Sequence, residues 1–233
     1  MNAPSRVAFR LATFLFAVLL GAQSIWLLLA EVSRPRVVRL PTDPTTAAAA
    51  AMQRNAAAAA ADVGVIRGDL WAGSAFTYAD LLFPKASPDA NADTTQSLAR
   101  ARANLLHAVL DAPHQSGAWL LLAGLSLDYP SKDFDAVEIL KMSYYTAPSD
   151  QDLMPLRLRF AIRSDAFNDF EIRQFITRDL REFVTRKQKD VIAQAYNAAS
   201  PVGKRFIEQI IKDVDPSVLK ALPTGAKGQV LPD

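Results

Sequence analysis

The sequence of residues 113–148 is PHQSGAWLLLAGLSLDYPSKDFDAVEILKMSYYTAP. Its first part, residues 118–127, is apolar around nearly the whole circumference of a helix, which is typical of a helix buried on all sides. Its second part, residues 131–145, repeats apolar residues at helical spacing between charged ones and predicts an amphipathic helix. Proline at both ends limits the pair to one helical hairpin. We therefore expect an all-α domain whose core is centred on residues 118–127.

The residues of this hairpin resemble the tetratricopeptide repeat, a helical hairpin of about 34 residues with characteristic positions for tryptophan, small residues and proline. The unit delimited by Pro113 and Pro148 is one residue longer than that period. The residues that match the family pattern are Trp119, Leu122 and Ala123 on the first helix, Ala136 and Leu140 on the second helix, and the closing Pro148.

A weaker copy of the same pattern precedes this unit. Ala101 and Ala108 fall on the small-residue positions of a helix that ends before Pro113. Trp71 and Tyr78 match the first helix of that earlier unit, with an insertion between the two helices. The resemblance implies a short α-solenoid of two to three hairpins. An irregular all-helical domain, in which the tryptophans and prolines recur by coincidence, is the competing interpretation.

The match weakens after residue 148, where Arg157 stands at the leucine position of a degenerate third unit. Two further helices are predicted beyond it, the second with Ser200 as N-cap and Pro201 at its first position. Repeat arrays need polar caps at their open ends, so we expect these helices to cap the array. The helical domain is expected to span residues 65–214, and residues 215–233, with several prolines and glycines, are predicted to be a flexible tail.

Near the start of the chain, residues 11–30 form a twenty-residue run without a charge. At about 1.5 Å per residue, such a helix spans about 30 Å, the thickness of a bilayer core. We predict a single transmembrane helix with Trp26 at its interfacial end, preceded by a short basic tail, residues 1–10. A cleaved secretory signal, whose apolar region is usually shorter, is the alternative. We expect a bacterial inner (cytoplasmic) membrane protein whose helical domain faces the periplasm.

Residues 31–64 combine prolines with a run of alanines and connect the membrane helix to the domain. Pro35, Pro41 and Pro44 interrupt any helix that follows the membrane. Eleven alanines occur in residues 47–61. Alanine is the best helix former but offers little side chain to bury, so this segment is predicted to be either a helical stalk or a low-complexity spacer of partial helicity.

Composition excludes several classes of function. The chain has 233 residues, half of them hydrophobic, with no Cys and a net charge of +2. The lack of Cys excludes a disulfide framework and a thiol nucleophile, and the near-neutral charge disfavours nucleic-acid binding. Pro113 separates the only two histidines, His107 and His114, so no metal site is expected. Asp69 and Asp80 are better explained as solvated carboxylates than as an acid–base pair. We predict no enzyme, no cofactor and no small-molecule substrate.

Arg159 and Arg163 lie one helical turn apart and are the candidate residues for binding an acidic protein partner. The alternative is a solvated surface of mixed charge, since acidic and basic residues are nearly balanced in this region. The sequence therefore predicts a membrane-anchored protein–protein interaction scaffold that acts in the assembly of a cell-envelope complex. The alternative function is a structural accessory subunit of a larger membrane export or polysaccharide-assembly complex.

Overall fold

A computed structural model describes residues 3–32, 39–83 and 91–222, and this part of the chain is all-helical, without a strand. The α-helices are α1 Ala3–Val32, α2 Pro44–Ala51, α3 Arg54–Gly64, α4 Gly68–Phe76, α5 Asn91–Asp111, α6 Ser116–Asp128, α7 Ala136–Thr146, α8 Met154–Arg163, α9 Phe170–Thr185, α10 Lys189–Ala198 and α11 Pro201–Val214. Short 3-10 helices occur at Ala79–Leu82, Asp165–Asn168 and Pro216–Ala221. The prediction of an all-α fold is confirmed.

Helix α1 contains one segment, Val7–Val32, that is long and apolar enough to cross a membrane. Its apolar side chains are exposed along most of its length. The helix begins at Ala3, so residues 3–10, expected in a separate basic tail, form the first turns of the same helix. Nothing in the backbone separates the tail from the span.

The domain is built from helical hairpins packed in chain order. The most extensive contacts join α4 to α5 and α6 to α7. Contacts also join α4 to α6, α6 to α8 and α8 to α10, and on the other side α7 to α9 and α9 to α11. Alternate helices therefore follow one another along two sides of the domain.

Helix α6 lies at the centre of the core, as its all-round apolar sequence predicts. The fully buried leucines of this helix are Leu120, Leu121, Leu122 and Leu125. Gly124 allows the ring of Phe160 on α8 to reach the α6 backbone, since a Cβ at that position would lie only 2.5 Å from the ring. Close approach on several sides makes α6 the helix around which the other hairpins pack.

The alanine-rich segment differs from both sequence interpretations. Helices α2 and α3 fold back onto the domain, α3 against α4 and α1, and α2 against the 3-10 helix Ala79–Leu82. The completely buried alanines are Ala47, Ala57, Ala60 and Ala61. Their methyl side chains let helix backbones approach closely, so they contribute to a packed interface and not to a stalk. The folded domain thus begins at Pro44, about twenty residues earlier than the predicted boundary at residue 65.

The first hairpin also departs from the sequence prediction, which placed Trp71 and Tyr78 on one helix. Helix α4 ends at Phe76, and Tyr78 lies beyond its end. The hydroxyl of Thr77 donates to the Ser74 carbonyl at 2.6 Å, and the Thr77 carbonyl accepts from Arg54 Nε at 3.1 Å. These bonds occupy the groups that would otherwise continue the helix. Tyr78 is still buried, at the start of the 3-10 helix, and the Arg54 guanidinium lies 4.6 Å from its ring centroid.

Helices α10 and α11 close the carboxyl end of the domain. Ser200 caps α11 as predicted, accepting from the Gly203 amide at 3.1 Å, and Pro201 is the first helical residue. The predicted tail begins differently, because Asp215 caps the 3-10 helix Pro216–Ala221 and Val218 is buried. Residues 223–233 lie outside the described part of the chain.

Candidate interaction surface

The tryptophans of the two hairpins make the same hydrogen bond. The indole Nε1 of Trp71 donates to the Val65 carbonyl at 2.8 Å, and that of Trp119 donates to the Pro113 carbonyl at 2.8 Å. In both cases the acceptor lies six residues upstream of the tryptophan. Helices α4 and α6 therefore begin in the same way, with the indole holding the turn that leads into the helix.

The other residues that match the repeat pattern lie at helix contacts and helix ends. The buried ones are Ala101, Ala108, Leu122, Ala123 and Leu140, while Ala136 is partly buried in the first turn of α7. Pro113 and Pro148 are exposed and follow the ends of α5 and α7. Small residues at these contacts let neighbouring helices approach closely.

Arg159 and Arg163 lie on α8 but are already engaged within the domain. Arg163 Nη2 forms a salt bridge with Asp128 Oδ1 at 2.8 Å. The Arg159 guanidinium lies 4.9 Å from the ring centroid of Phe83 and 5.6 Å from that of Phe160. Burial, reinforced by the neighbouring Arg163 charge, lowers the pKa of Arg159. Arg163 is thus paired with Asp128 and Arg159 is partly buried against aromatic rings, so the pair is less accessible to an acidic partner than its spacing predicts.

A buried arginine that the sequence did not single out as functional joins α8 to α7. Arg157 is fully buried, and its Nε donates to Ser143 Oγ at 3.0 Å while Nη1 donates to the Ala147 carbonyl at 2.9 Å. Its guanidinium lies 4.8 Å from the ring centroid of Tyr144. Burial lowers the pKa of Arg157. A cation at the carboxyl end of a helix stabilises the last carbonyl groups, so Arg157 acts as a side-chain cap for α7.

Asp179 of α9 is a second buried charge beside this cap. Its Oδ1 accepts from Arg178 Nη2 at 3.1 Å, and burial raises the pKa of the Asp179 carboxyl. Burial likewise raises the pKa of Tyr144 well above its usual value, and the ring stacks on Phe175 with centroids 4.5 Å apart. Asp179 lies at helical spacing from Ile172 and Ile176, so its position on the apolar face of α9 is the signal that could have predicted its burial.

An open cleft lies between residues 39–53 and the start of α8. Its volume is about 740 Å³, and a smaller cavity of about 210 Å³ adjoins it; Arg39, Leu40 and Asp152 line both. The other main lining residues of the cleft are Pro41, Thr42, Asp43, Thr46, Ala49, Gln53, Gln151 and Pro155. The lining mixes apolar groups with amides, hydroxyls and charges of both signs.

The chain's own segment occupies the domain surface beside this cleft. Leu40 is buried, and its Cβ would lie 3.4 Å from a Cβ added at Gly117 of α6. Phe76 of α4 lines the same small cavity. Arg39 reaches Asp152 near the start of α8 at 2.7 Å. Residues 39–41 therefore lie beside α4 and α6 and reach the residues that precede α8.

The polar residues considered for chemistry have other partners. His107 stacks on Trp71 with ring centroids 4.6 Å apart. Asp69 pairs with Arg67 at 2.7 Å and Asp80 pairs with Arg54. Within the described ranges, no group of three or more His, Asp or Glu side chains could hold a metal ion.

Comparisons of the chain with protein-family models, with curated proteins and with solved structures find no match. Function is therefore inferred from the anchor, the hairpins and the cleft of this chain alone.

Proposed function

We propose that the protein is a membrane-anchored protein–protein interaction scaffold that acts in the assembly of a bacterial cell-envelope complex. Helix α1 crosses the inner membrane once, and the helical domain stands in the periplasm. Contacts of Trp26 and Glu31 with the domain support a retained anchor over a cleaved signal, because a removed segment has no need of such contacts. The protein has no enzymatic activity in this proposal.

The domain is a short tetratricopeptide-like α-solenoid in this proposal. The contacts between alternate helices support it, as does the hydrogen bond shared by Trp71 and Trp119. Residues 39–41 act as an internal ligand on one side of the solenoid. This segment pre-forms one wall of the remaining cleft, since Leu40 is held in the core.

The observation that carries the proposal is the open cleft of about 740 Å³ beside this segment. Its size lies within the usual range of ligand sites, about 300–1,000 Å³. Its ionisable lining residues are Arg39, Asp43 and Asp152. Asp43 caps α2 and accepts hydrogen bonds from Thr46, which lower its pKa. The Asp43 carboxylate is already engaged with Thr46 and the first amides of α2, and the lining offers apolar, hydrogen-bonding and charged groups of both signs, so a peptide segment of a protein partner is the occupant we propose.

Two adjacent alanines of α2 allow a matched test. Ala49 lines the cleft, whereas Ala48 is exposed and is not among its lining residues. A photo-crosslinking amino acid at position 49 of the full-length protein in living cells should give one discrete protein adduct, and the same group at position 48 should not. Ala49→Trp, which fills the cleft, should remove a co-purifying partner that Ala48→Trp retains. Equal crosslinking at both positions, or retention of the partner by Ala49→Trp, would contradict the proposal.

The second candidate function, a structural accessory subunit, is favoured by the surface of α1. The most apolar window of its membrane-spanning segment has no buried side chain, so the whole circumference is open to other membrane helices. Replacing residues 7–25 by an unrelated apolar helix, with Trp26–Val32 kept, distinguishes the two functions. A tethered scaffold keeps its partner after this exchange, whereas an accessory subunit that packs through α1 loses its complex.

A further inference from the structure

The end of α1 is fixed against the turn between α3 and α4. Trp26 Nε1 donates to the Val63 carbonyl at 2.7 Å. Arg67 Nη1 forms a salt bridge with Glu31 at 2.9 Å, and Ala30 between these contacts is buried. The domain is therefore attached to its anchor at two points one and a half helical turns apart. Its orientation relative to α1 does not depend on a free linker.

If α1 crosses a bilayer, these contacts fix the depth of the turn between α3 and α4 relative to the membrane. The inference rests on that part of the proposed function. If Trp26 marks the interfacial end of the segment Val7–Val32, residues 7–25 lie in the hydrocarbon core and span about 28 Å at about 1.5 Å per residue, close to its thickness. Trp26 then lies at the membrane–water interface, where tryptophan is enriched. Because Val63 is hydrogen-bonded to Trp26, residues 63–67 lie at the level of the lipid headgroups.

Two large apolar side chains project from this turn. Val65 is 58% exposed and Ile66 is 69% exposed. Val65 also has a φ of 31°, a conformation that is costly for a β-branched residue and keeps the turn tight. The indole Nε1 of Trp71 donates to the Val65 carbonyl and so holds this residue in place. The turn is thus a fixed feature that exposes apolar groups beside the anchor.

A third apolar residue lies close to this turn. Leu110, 77% exposed, is in the last turn of α5. The backbone of its neighbours Asp111 and Ala112 packs directly on Gly68, where an added Cβ would lie 2.6 Å from the Ala112 amide nitrogen. Three exposed apolar side chains are thus grouped around one turn, and grouped apolar side chains form a candidate interaction surface.

We infer that Val65, Ile66 and Leu110 form a second contact with the lipid surface, beside the end of α1. The occupant is a bilayer because the same turn is bonded to the residues where the membrane span ends. The contact is apolar, since the nearby Arg67 is already paired with Glu31 and Asp69. It needs no particular lipid headgroup, and it holds the domain and its cleft at one orientation above the membrane.

The absence of cysteine from the chain makes a direct test possible. Single variants Ile66→Cys, Val202→Cys and Leu19→Cys of the full-length protein are labelled with an environment-sensitive fluorophore and reconstituted into phosphatidylcholine vesicles. Val202 is an exposed valine on α11, which packs mainly on α9 and on the 3-10 helix Pro216–Ala221, and it is the matched control. Leu19 lies in the middle of the membrane span and reports on the anchor itself.

We expect lipids that carry a spin label near the headgroup to quench the fluorophore at position 66 several-fold more than that at position 202. Lipids labelled deep in the acyl chain should quench position 19 most. Equal quenching at positions 66 and 202, with position 19 still quenched, would overturn the lipid contact and leave the anchor intact. No quenching at position 19 would overturn the membrane span and with it the contact.

Discussion

The first hairpin, α4–α5, and the second, α6–α7, begin alike and pack differently. Trp71 and Trp119 make the same hydrogen bond at the start of α4 and α6, and each is followed three residues later by a buried residue. In α6 that residue is Leu122, in the centre of the core. In α4 it is Ser74, whose hydroxyl accepts from Asn104 Nδ2 at 2.9 Å.

The difference follows from what each helix packs against. Helix α6 is surrounded by hairpins and fills its contacts with leucine. Helix α4 receives the alanine-rich α3, which in turn contacts α1, and its buried face combines Leu70 and Phe76 with small residues and Ser74. The same local entry into a helix thus leads into a leucine-filled core in one hairpin and into the contact with α3 in the other.

The largest expected effect is the loss of core volume in the second hairpin. Leu122→Ala should lower the free energy of unfolding by about 2–5 kcal/mol, because it removes buried methyl groups and leaves a cavity. Urea unfolding of the protein in detergent, followed by circular dichroism, measures this loss. Met52→Ala, at an exposed position, is the control and should change stability by less than about 0.5 kcal/mol. A loss of less than about 1 kcal/mol for Leu122→Ala would contradict the central position of α6.

Close backbone approach in the first hairpin gives the next largest effect. Gly68→Ala places a Cβ 2.6 Å from the Ala112 amide nitrogen and 2.9 Å from the Asp111 carbonyl carbon, so α4 and α5 must separate. We expect a loss of about 1–3 kcal/mol in the free energy of unfolding. Gly21→Ala in α1, where an added Cβ meets no atom within 4 Å, is the matched control and should not lower stability, since alanine favours a helix interior over glycine. Equal stability of the two variants would show that α4 and α5 do not pack as described.

The shared tryptophan bond predicts two small and similar effects. Trp71→Phe and Trp119→Phe each remove one indole N–H bond to a backbone carbonyl while keeping an aromatic ring. Each should cost about 0.5–1.5 kcal/mol in the same urea measurement. A cost confined to one of the two variants would show that the two bonds differ in role, despite their equal geometry.

The smallest expected effect is on the pH dependence of stability. It distinguishes two aspartates whose pKa values are shifted in opposite directions. Burial raises the pKa of Asp179, so its contribution favours the folded state at low pH and is lost as the pH rises through the raised pKa. Hydrogen bonds from Thr46 lower the pKa of Asp43, so its contribution is lost as the pH falls. The melting temperatures of the wild type, Asp179→Asn and Asp43→Asn are measured from about pH 3.5 to 7. As the pH rises, the difference from the wild type should change in opposite directions for the two variants. Shifts of the same sign would contradict the burial of Asp179.

The helical class, the membrane-length helix, the buried α6 and the cap at Ser200 were predictable from the sequence. Each depends on a local pattern, such as an apolar run, a helical period or a capping residue, that lies within one element. The repeat itself stays a prediction, and only the structure shows the hydrogen bond that Trp71 and Trp119 share.

Only the tertiary structure decided where residues without a clear sequence pattern lie. Identical alanine side chains do not show which of them is buried. Ala47, Ala57, Ala60 and Ala61 belong to the core because α2 packs on the 3-10 helix Ala79–Leu82 and α3 packs on α4 and α1. Arg157 is buried because the end of α7 presents Ser143 and Ala147 oxygens to it, and no spacing within α8 reveals those acceptors. The sequence by itself determined which segments are helical, because helix formation depends on neighbours along the chain. Packing decided which charges are buried and where the cleft opens, because both depend on groups that are distant in sequence.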